Sequence, residues 1–281
     1  MQKDVINNLE YVSANMRKRL LDVVYNAKAG HIGGGLSSIN MLTALYFHTL
    51  NIDPQQPKME NRDRFIMSKG HCVEALYCAL EARGFITPEL LDTYGKYNSL
   101  LAGHPTVKVP GVEVNTGALG HGLSIGVGLS IAAKMDKKDY KTYVLMGDGE
   151  QGEGSIYEAA MAASHYKLDN LVAIIDRNGL QISDKTENVM SLEPMAERWT
   201  AFGWDVSEIN GDDMGSIVKA LDNINFNNNK PHLIISRTTK GKGFSCMENI
   251  LKWHHGVPKQ EEYEKCVAEL ETCINETFVK I

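Results

Sequence analysis

The sequence predicts an α/β protein: a parallel central sheet with helices packed on both faces. Two observations carry that expectation. Short apolar strands alternate with helix-length segments along the chain, the pattern of a parallel sheet covered on both sides. Two of the strands end in a matched way. Tyr143–Met146 runs into Gly147-Asp148-Gly149, and the strand beginning at Leu171 ends at Asn178-Gly179. In a parallel sheet, adjacent strands joined by a helix deliver their C-terminal ends to one edge, where ligands bind. Asp148 and Asn178 are then expected side by side, each offering a side-chain oxygen. Such a hard-oxygen pair suits Mg²⁺ shared between protein and a ligand's phosphates.

The elements follow in order. Val5, Leu9, Val12, Met16, Leu20 and Val23 recur at helical spacing, so residues 5–27 read as an amphipathic helix. Ala29 to Gly35 reads as a glycine loop that stops it, with Ser37 or Ser38 capping a helix that runs to about Leu50. Arg64–Ser68 reads as a short buried strand leading into Lys69-Gly70-His71, and Val73 to Arg83 as a helix. Residues 88–103 read as helical, then irregular. Gly103-His104-Pro105 and Gly117 to Gly122 are loop signals, and a small-residue helix follows from about Leu123 to Met135. Then come a strand at 142–147, a helix at about 153–166 and a strand at 171–176. Leu192–Phe202 is read as helix, Trp204–Ile209 as strand, Met214–Ile224 as helix and His232–Arg237 as the last strand. Lys259 to Phe278 reads as an amphipathic helix. No linker-like stretch divides the chain, so residues 1–281 are expected to form one domain.

Composition narrows the function classes. A net charge of −6 and the absence of any Lys/Arg-rich tract argue against a nucleic-acid binder. No apolar run approaches a membrane span, and no signal peptide is visible, so the expected compartment is the cytoplasm. The five cysteines form no CxxC pair and read as reduced thiols.

Taken alone, the Gly-Asp-Gly turn is a generic tight strand–helix connection with an aspartate cap. The second strand ending in Asn-Gly sets it apart. Gly149 lets the backbone approach a phosphate, and the helix N-terminus that follows favours negative charge. Glu153 begins that helix, where a glutamate is an ordinary partner for the helix dipole. Histidine loops form a second constellation: His31, His71, His104, His121 and His255 each touch a glycine. Imidazoles on loops at one sheet edge suit acid–base work near neutral pH, and their irregular spacing does not fit a zinc site. His48, His165 and His232 read as structural. Lys240-Gly241-Lys242-Gly243 follows the last strand and is either an anion-binding loop or a solvated basic turn.

These residues together resemble a known family. Gly147-Asp148-Gly149 with Asn178 resembles the thiamine diphosphate signature. The longer pattern ending in Glu153-Gly154, with Glu158-Ala159-Ala160 after it, is similar to transketolase. So are Ala29 to Gly33, Ser68 to His71, Gly103 to Pro105, Gly111 to Gly120, Lys240 to Gly243 and His255-Gly256, in family order from about residue 10 to 258. The resemblance implies a thiamine diphosphate-binding fold and covers only its diphosphate-binding half. The chain, ending at Ile281, is expected to be the N-terminal subunit of a split transketolase. Its partner would be a separate C-terminal subunit, the pyrimidine-binding half, with two copies of each.

By resemblance, Asp148, Asn178 and the Leu180 carbonyl would ligate Mg²⁺, with Ca²⁺ or Mn²⁺ as substitutes. Gly149 would contact the diphosphate. His71, Gly117, Ala118, Leu119, Glu150, Lys240 and His255 would line the cofactor. His31, His104 and His255 would face cofactor and sugar hydroxyls as catalytic groups, and Glu153 would join the network between paired active sites. The implied reaction moves a two-carbon ketol unit from a ketose phosphate to an aldose phosphate. The glutamate that activates the cofactor's pyrimidine and the arginines that bind sugar phosphate belong to the other half. His121 stands where many relatives carry glutamine. Two other readings stay open: a split relative handling an unusual sugar or an acyloin product, and a non-catalytic scaffold subunit of the same fold.

Overall fold

Two apolar layers, one on each face of a single sheet, organise the chain. The computed structural model describes residues 2–278, so Met1 and residues 279–281 of the expected domain span lie outside the described residues. Among the described residues, five strands pair in parallel in the order β1-β2-β3-β5-β4. They are β1 (Arg64–Met67), β2 (Thr142–Gly147), β3 (Leu171–Arg177), β4 (Asp205–Asn210) and β5 (His232–Arg237).

Strand side chains alternate between the two layers. Tyr143, Leu145, Val172, Ile174 and Ile234 enter the larger core. That core is built with α1 (Gln2–Ala27), α2 (Ile32–Ala44), α3 (Val73–Arg83) and α9 (Met214–Asp222), and α10 (Gln260–Phe278) contributes Cys266 and Leu270. Val144, Met146, Ala173, Ile175 and Ile235 face the opposite way. They pack with α5 (His121–Met135), α6 (Gly154–His165) and α8 (Met195–Ala201). Burial on both faces explains the apolar runs Tyr143–Met146 of β2 and Leu171–Ile175 of β3, while the edge strand β4 is largely exposed. The remaining short helices are α4 (Pro88–Leu91) and α7 (Thr186–Val189).

The strands and the longer helices fall close to their expected positions; the differences lie in glycine-rich and short segments. Residues 29–35 are not a loop throughout: α2 begins at Ile32, and its first turn contains Gly33, Gly34 and Gly35. These glycines serve close packing. A Cβ on Gly33 would lie 2.6 Å from the Trp253 carbonyl, and one on Gly34 would lie 2.7 Å from Cys72 Sγ. Ser37 and Ser38 therefore do not cap the helix. They sit inside it, their hydroxyls donating to the Gly34 carbonyl at 3.1 and 2.8 Å. Residues 45–49 widen into a π turn. Between 88 and 103 only Pro88–Leu91 is helical, capped by Thr87. The expected helix at 192–202 is confined to Met195–Ala201.

The fold also brings Cys246 and Cys266 together, their sulfurs 3.3 Å apart, a contact that their scatter in sequence did not suggest. Among the described residues, no helix is long and apolar enough to cross a membrane.

Candidate active site

At the C-terminal ends of β2 and β3 lies a cavity of about 250 Å³. Gly147 is in register with Asp176, so the residues that follow each strand, Asp148 and Asn178, leave neighbouring strand ends. Asp148 is buried. Its Oδ1 accepts from Gly149 N–H (2.8 Å) and its Oδ2 from Gly179 N–H (2.6 Å), with Arg177 Nη1 at 3.3 Å. Burial, together with the charge of Asp176, raises its pKa, against the pull of the Gly179 amide and Arg177.

Asn178 Nδ2 donates to Asp176 Oδ2 at 2.9 Å, which fixes the amide orientation. Its Oδ1 accepts from Leu180 N–H at 3.2 Å. The Leu180 carbonyl accepts from Lys240 Nζ at 2.9 Å. Asp148, Asn178 and Leu180 all line the cavity.

Behind this edge is a buried ion pair, Lys69–Asp176, with both side chains 2% exposed. Lys69 also donates to the Gly34 carbonyl at 2.9 Å. Asp176 accepts from Lys69, from Ser37 Oγ at 2.7 Å, from Thr238 and from Asn178. Burial opposes both charges. The partner's charge and hydrogen bond, with further help from Asp148 for Lys69 and from the Thr238 and Ser37 hydroxyls for Asp176, outweigh it, so the pKa of Lys69 is raised and that of Asp176 lowered. The pair is ionised at neutral pH.

His31, His71 and His254 line the cavity in mutual ring contact. The His31 centroid is 5.2 Å from that of His71 and 5.7 Å from that of His254, and His71 stacks on His254 at 5.5 Å. Burial, with nearby positive groups, lowers their pKa values to about 4 for His31, about 2 for His71 and about 4 for His254. All three are neutral imidazoles at neutral pH, each with one N–H and one lone pair. His255 is exposed, its ring 4.7 Å from His31. His104 is exposed too, and its ring packs on Gly117, which has φ +140°; a Cβ there would lie 2.8 Å from His104 Cδ2.

Ten of the residues expected at the site therefore line one cavity: His31, His71, Gly117, Leu119, Asp148, Gly149, Glu150, Asn178, Leu180 and Lys240. His104, His255 and Ala118 lie outside its lining. So does Glu153, which is exposed ahead of α6 with its Cβ against Gly120. Glu150 is spent on bracing. Its Oε1 accepts from Gly120 N–H at 2.8 Å and from Ser68, and its Oε2 from Gly147 N–H at 3.0 Å. His121 opens α5 with Nδ1 3.1 Å from the Leu119 carbonyl, outside the lining.

Sequence reasoning missed Lys69, Asp176, Gln181, Ile182 and His254. For His254 the only sequence signal is its place beside His255. Lys69 stands inside the Ser68–His71 motif and Asp176 near the end of the strand before Asn178, but nothing in the sequence shows that they pair, because the pairing spans 107 positions. A larger hollow of about 420 Å³ lies between β4 and α9, away from these groups.

The family described as "Transketolase, thiamine diphosphate binding domain" matches residues 9–278. A protein of Phocaeicola vulgatus, named as one subunit of an apulose-4-phosphate transketolase, is 67% identical over 94% of this chain and 94% of its own length. A Clostridium protein, named as one subunit of a 6-deoxy-6-sulfo-D-fructose transketolase, is 40% identical over 94% of this chain and 96% of its own. The solved transketolase of Campylobacter jejuni superposes with TM-score 0.89 at 34% identity, covering 94% of this chain but 43% of that one. The chain thus spans about two fifths of the solved transketolases it matches and nearly all of the relatives named as transketolase subunits. Fold and family domain define a thiamine diphosphate-binding protein. The chain belongs to the transketolase family, as an N-terminal, cofactor-binding subunit of the split kind.

Proposed function

We propose that this chain, with a separate C-terminal subunit, transfers a two-carbon ketol unit between sugar phosphates, using thiamine diphosphate held through Mg²⁺. The observation that carries the reading is the convergence of Asp148, Asn178, Leu180 and Lys240 with neutral imidazoles in one cavity at the sheet's C-terminal edge.

The donor set fits the metal. It offers one carboxylate, one amide and one main-chain oxygen, and among the described residues no group of three or more His, Cys, Asp or Glu could hold a metal. A cation there would keep positions open for oxygens of a bound phosphate, as Mg²⁺ does. The lysine bond to the Leu180 carbonyl leaves that oxygen its second lone pair. Arg177, the cation paired with the Asp148 carboxylate, is shared with Glu187 and Glu193, so a divalent cation would add positive charge where burial and Asp176 raise the Asp148 pKa.

When bound, thiamine diphosphate supplies the electron sink for carbon–carbon bond cleavage and formation. The chain's own groups bind and orient. Lys240 gives the cavity positive charge, while that of Lys69 is matched by Asp176. Asp176 fixes the Asn178 amide. The neutral rings of His31 and His71 can each donate to one oxygen and accept from another. His104 and His255, at the rim, are the groups best placed to meet a substrate entering from solvent.

The names of two relatives that match nearly the whole chain favour an unusual sugar phosphate over the common pentose phosphates, with apulose 4-phosphate the first donor to test. The experiment is co-expression with the neighbouring reading frame. Copurification and ketol transfer dependent on thiamine diphosphate and Mg²⁺ are expected from the pair and no turnover from this chain alone. Turnover by the single chain would refute the split assignment.

A further inference from the structure

The first turn of α3, behind the cavity, holds a buried carboxyl group that the cofactor site does not use. Glu74 is 1% exposed. A glutamate in a first helical turn is ordinarily a solvated partner of the helix dipole. Here it is packed inside, and burial raises its pKa. Its Oε1 accepts from the His31 backbone N–H at 3.2 Å and from the Tyr94 hydroxyl at 2.8 Å. Its Oε2 is buried and has no partner among the described residues. Gly30 makes room for the contact with His31. It has φ +151°, and a Cβ there would lie 2.8 Å from Glu74 Oε1.

One turn further along α3, Tyr77 is fully buried. Its hydroxyl donates to the Ala102 carbonyl at 3.0 Å, with the His104 carbonyl at 3.3 Å. The Tyr77 and Tyr94 rings meet edge-on, their centroids 6.0 Å apart. His71 stands just ahead of the same helix. One element thus places three imidazoles: His71 through chain connectivity, His31 and His104 through hydrogen bonds to their main chains. Glu74 acts on the His31 backbone and not on its ring, whose lowered pKa comes from burial, then His255, His104 and Lys240. The groups expected to hold the diphosphate are mounted elsewhere. Asp148 follows β2, Asn178 follows β3 and Lys240 follows β5. Loosening the contacts of α3 therefore shifts the histidines and leaves the diphosphate end in place.

We propose that Glu74 and Tyr77 are positioning residues for ketol transfer, holding the His31 and His104 main chains so that both imidazoles meet the sugar at a fixed spacing. The roles rest on the ketol-transfer reading above and add two residues to it.

Three variants test them. Glu74→Gln keeps an acceptor for both donors, Glu74→Leu removes it at similar volume, and Tyr77→Phe removes one hydroxyl. The full chain with its copurified partner is assayed with apulose 4-phosphate as donor and titrated with thiamine diphosphate and Mg²⁺ by calorimetry. A misplacement of about 1 Å costs about a hundredfold in rate, so Glu74→Leu and Tyr77→Phe are each expected to lower kcat/KM about tenfold or more. Their cofactor Kd should stay within about threefold of wild type. Glu74→Gln should stay within about threefold in both quantities. In ¹⁵N–¹H spectra of the apo chain, the His31 amide should be protected from solvent exchange in wild type and Glu74→Gln, and lose that protection in Glu74→Leu.

Wild-type kcat/KM in Glu74→Leu or Tyr77→Phe overturns the proposal. So does a Kd that rises in step with the loss of rate, the mark of general disorder. A Glu74→Gln variant as impaired as Glu74→Leu assigns the effect to charge and overturns it too. Where Glu74→Leu does not fold, Tyr77→Phe and Glu74→Gln decide by the same criteria. Absence of transfer by the wild-type pair takes down the functional reading and the proposal with it, and the His31 amide then reports the Glu74 contact alone.

Discussion

Replacing Lys69 by methionine tests the arrangement beneath the site most directly. Lys69 and Asp176 are each 2% exposed and pair with one another, and Asp176 is further held by Ser37, Thr238 and Asn178. Methionine fills similar volume but leaves a buried carboxylate with neutral donors only. Removing one partner of a buried ion pair costs about 3–5 kcal/mol, a large share of the ~5–15 kcal/mol that stabilises a typical native protein. Expressed as a melting shift, that is roughly 6–20 °C for a chain of this size. Adding Asp176→Asn removes the orphaned charge and keeps one amide oxygen as acceptor on the side of Ser37 and Asn178, the hydroxyl of Thr238 on the other side being free to turn and accept. The double variant should therefore lose less than the sum of the two single changes, by about 2–3 kcal/mol. Urea unfolding followed by circular dichroism, without ligand and at neutral pH, measures all four corners of the cycle. A Lys69→Met variant within about 1 kcal/mol of wild type, or strict additivity, would show that the pair is not the buried, ionised unit described here.

Other expectations follow from the same geometry. Asp148→Ala should abolish thiamine diphosphate binding in the presence of Mg²⁺; unchanged affinity by calorimetry would remove Asp148 from the metal site. The pKa of His71 is lowered to about 2 in the folded chain, so the unfolded chain takes up the proton first as pH falls. Its contribution is thus intact above the unfolded value and lost with falling pH. That loss amounts to about 1.4 kcal/mol between pH ~7.5 and ~5.5, the folded ring staying neutral across that window. Comparing urea midpoints of wild type and His71→Asn at both pH values checks this, and equal slopes would contradict it. Gly33→Ala should destabilise by about 1–3 kcal/mol and weaken cofactor binding, because its Cβ would lie 2.6 Å from the Trp253 carbonyl, in the segment that carries His254. A variant as stable as wild type would show that this contact relaxes freely.

The sheet was legible because its signal is local. A short apolar run of three to five residues before a glycine or polar turn reads as a doubly covered strand, and each of β1, β2, β3 and β5 follows that form. The helices with clear amphipathic or small-residue patterns were legible for the same reason. The start of α2 was not. Glycine's effect on a chain depends on what presses against it, and the carbonyl of Trp253, 220 positions further along, is invisible in a sequence window. Likewise, the short helix α4 hangs on its Thr87 cap, and α7 and α8, which have no side-chain cap, on buried contacts such as those of Thr186, Met195 and Trp199 more than on periodicity.

The sequence by itself determined the class of sheet, the two strand ends that bring Asp148 and Asn178 together, and the histidine loops that resemble transketolase. These are properties of residue type and spacing, and chain connectivity carries them to one edge. Only the tertiary structure decided which of those groups share a cavity. It sent Glu150 into bracing hydrogen bonds, left Glu153, His104 and His255 outside the lining, and turned His254 inward beside Lys240. It also set the Lys69–Asp176 pair behind the site, where low exposure makes charge expensive unless it is matched. Burial and charge pairing are properties of the packed molecule, and a linear spacing rule cannot supply them.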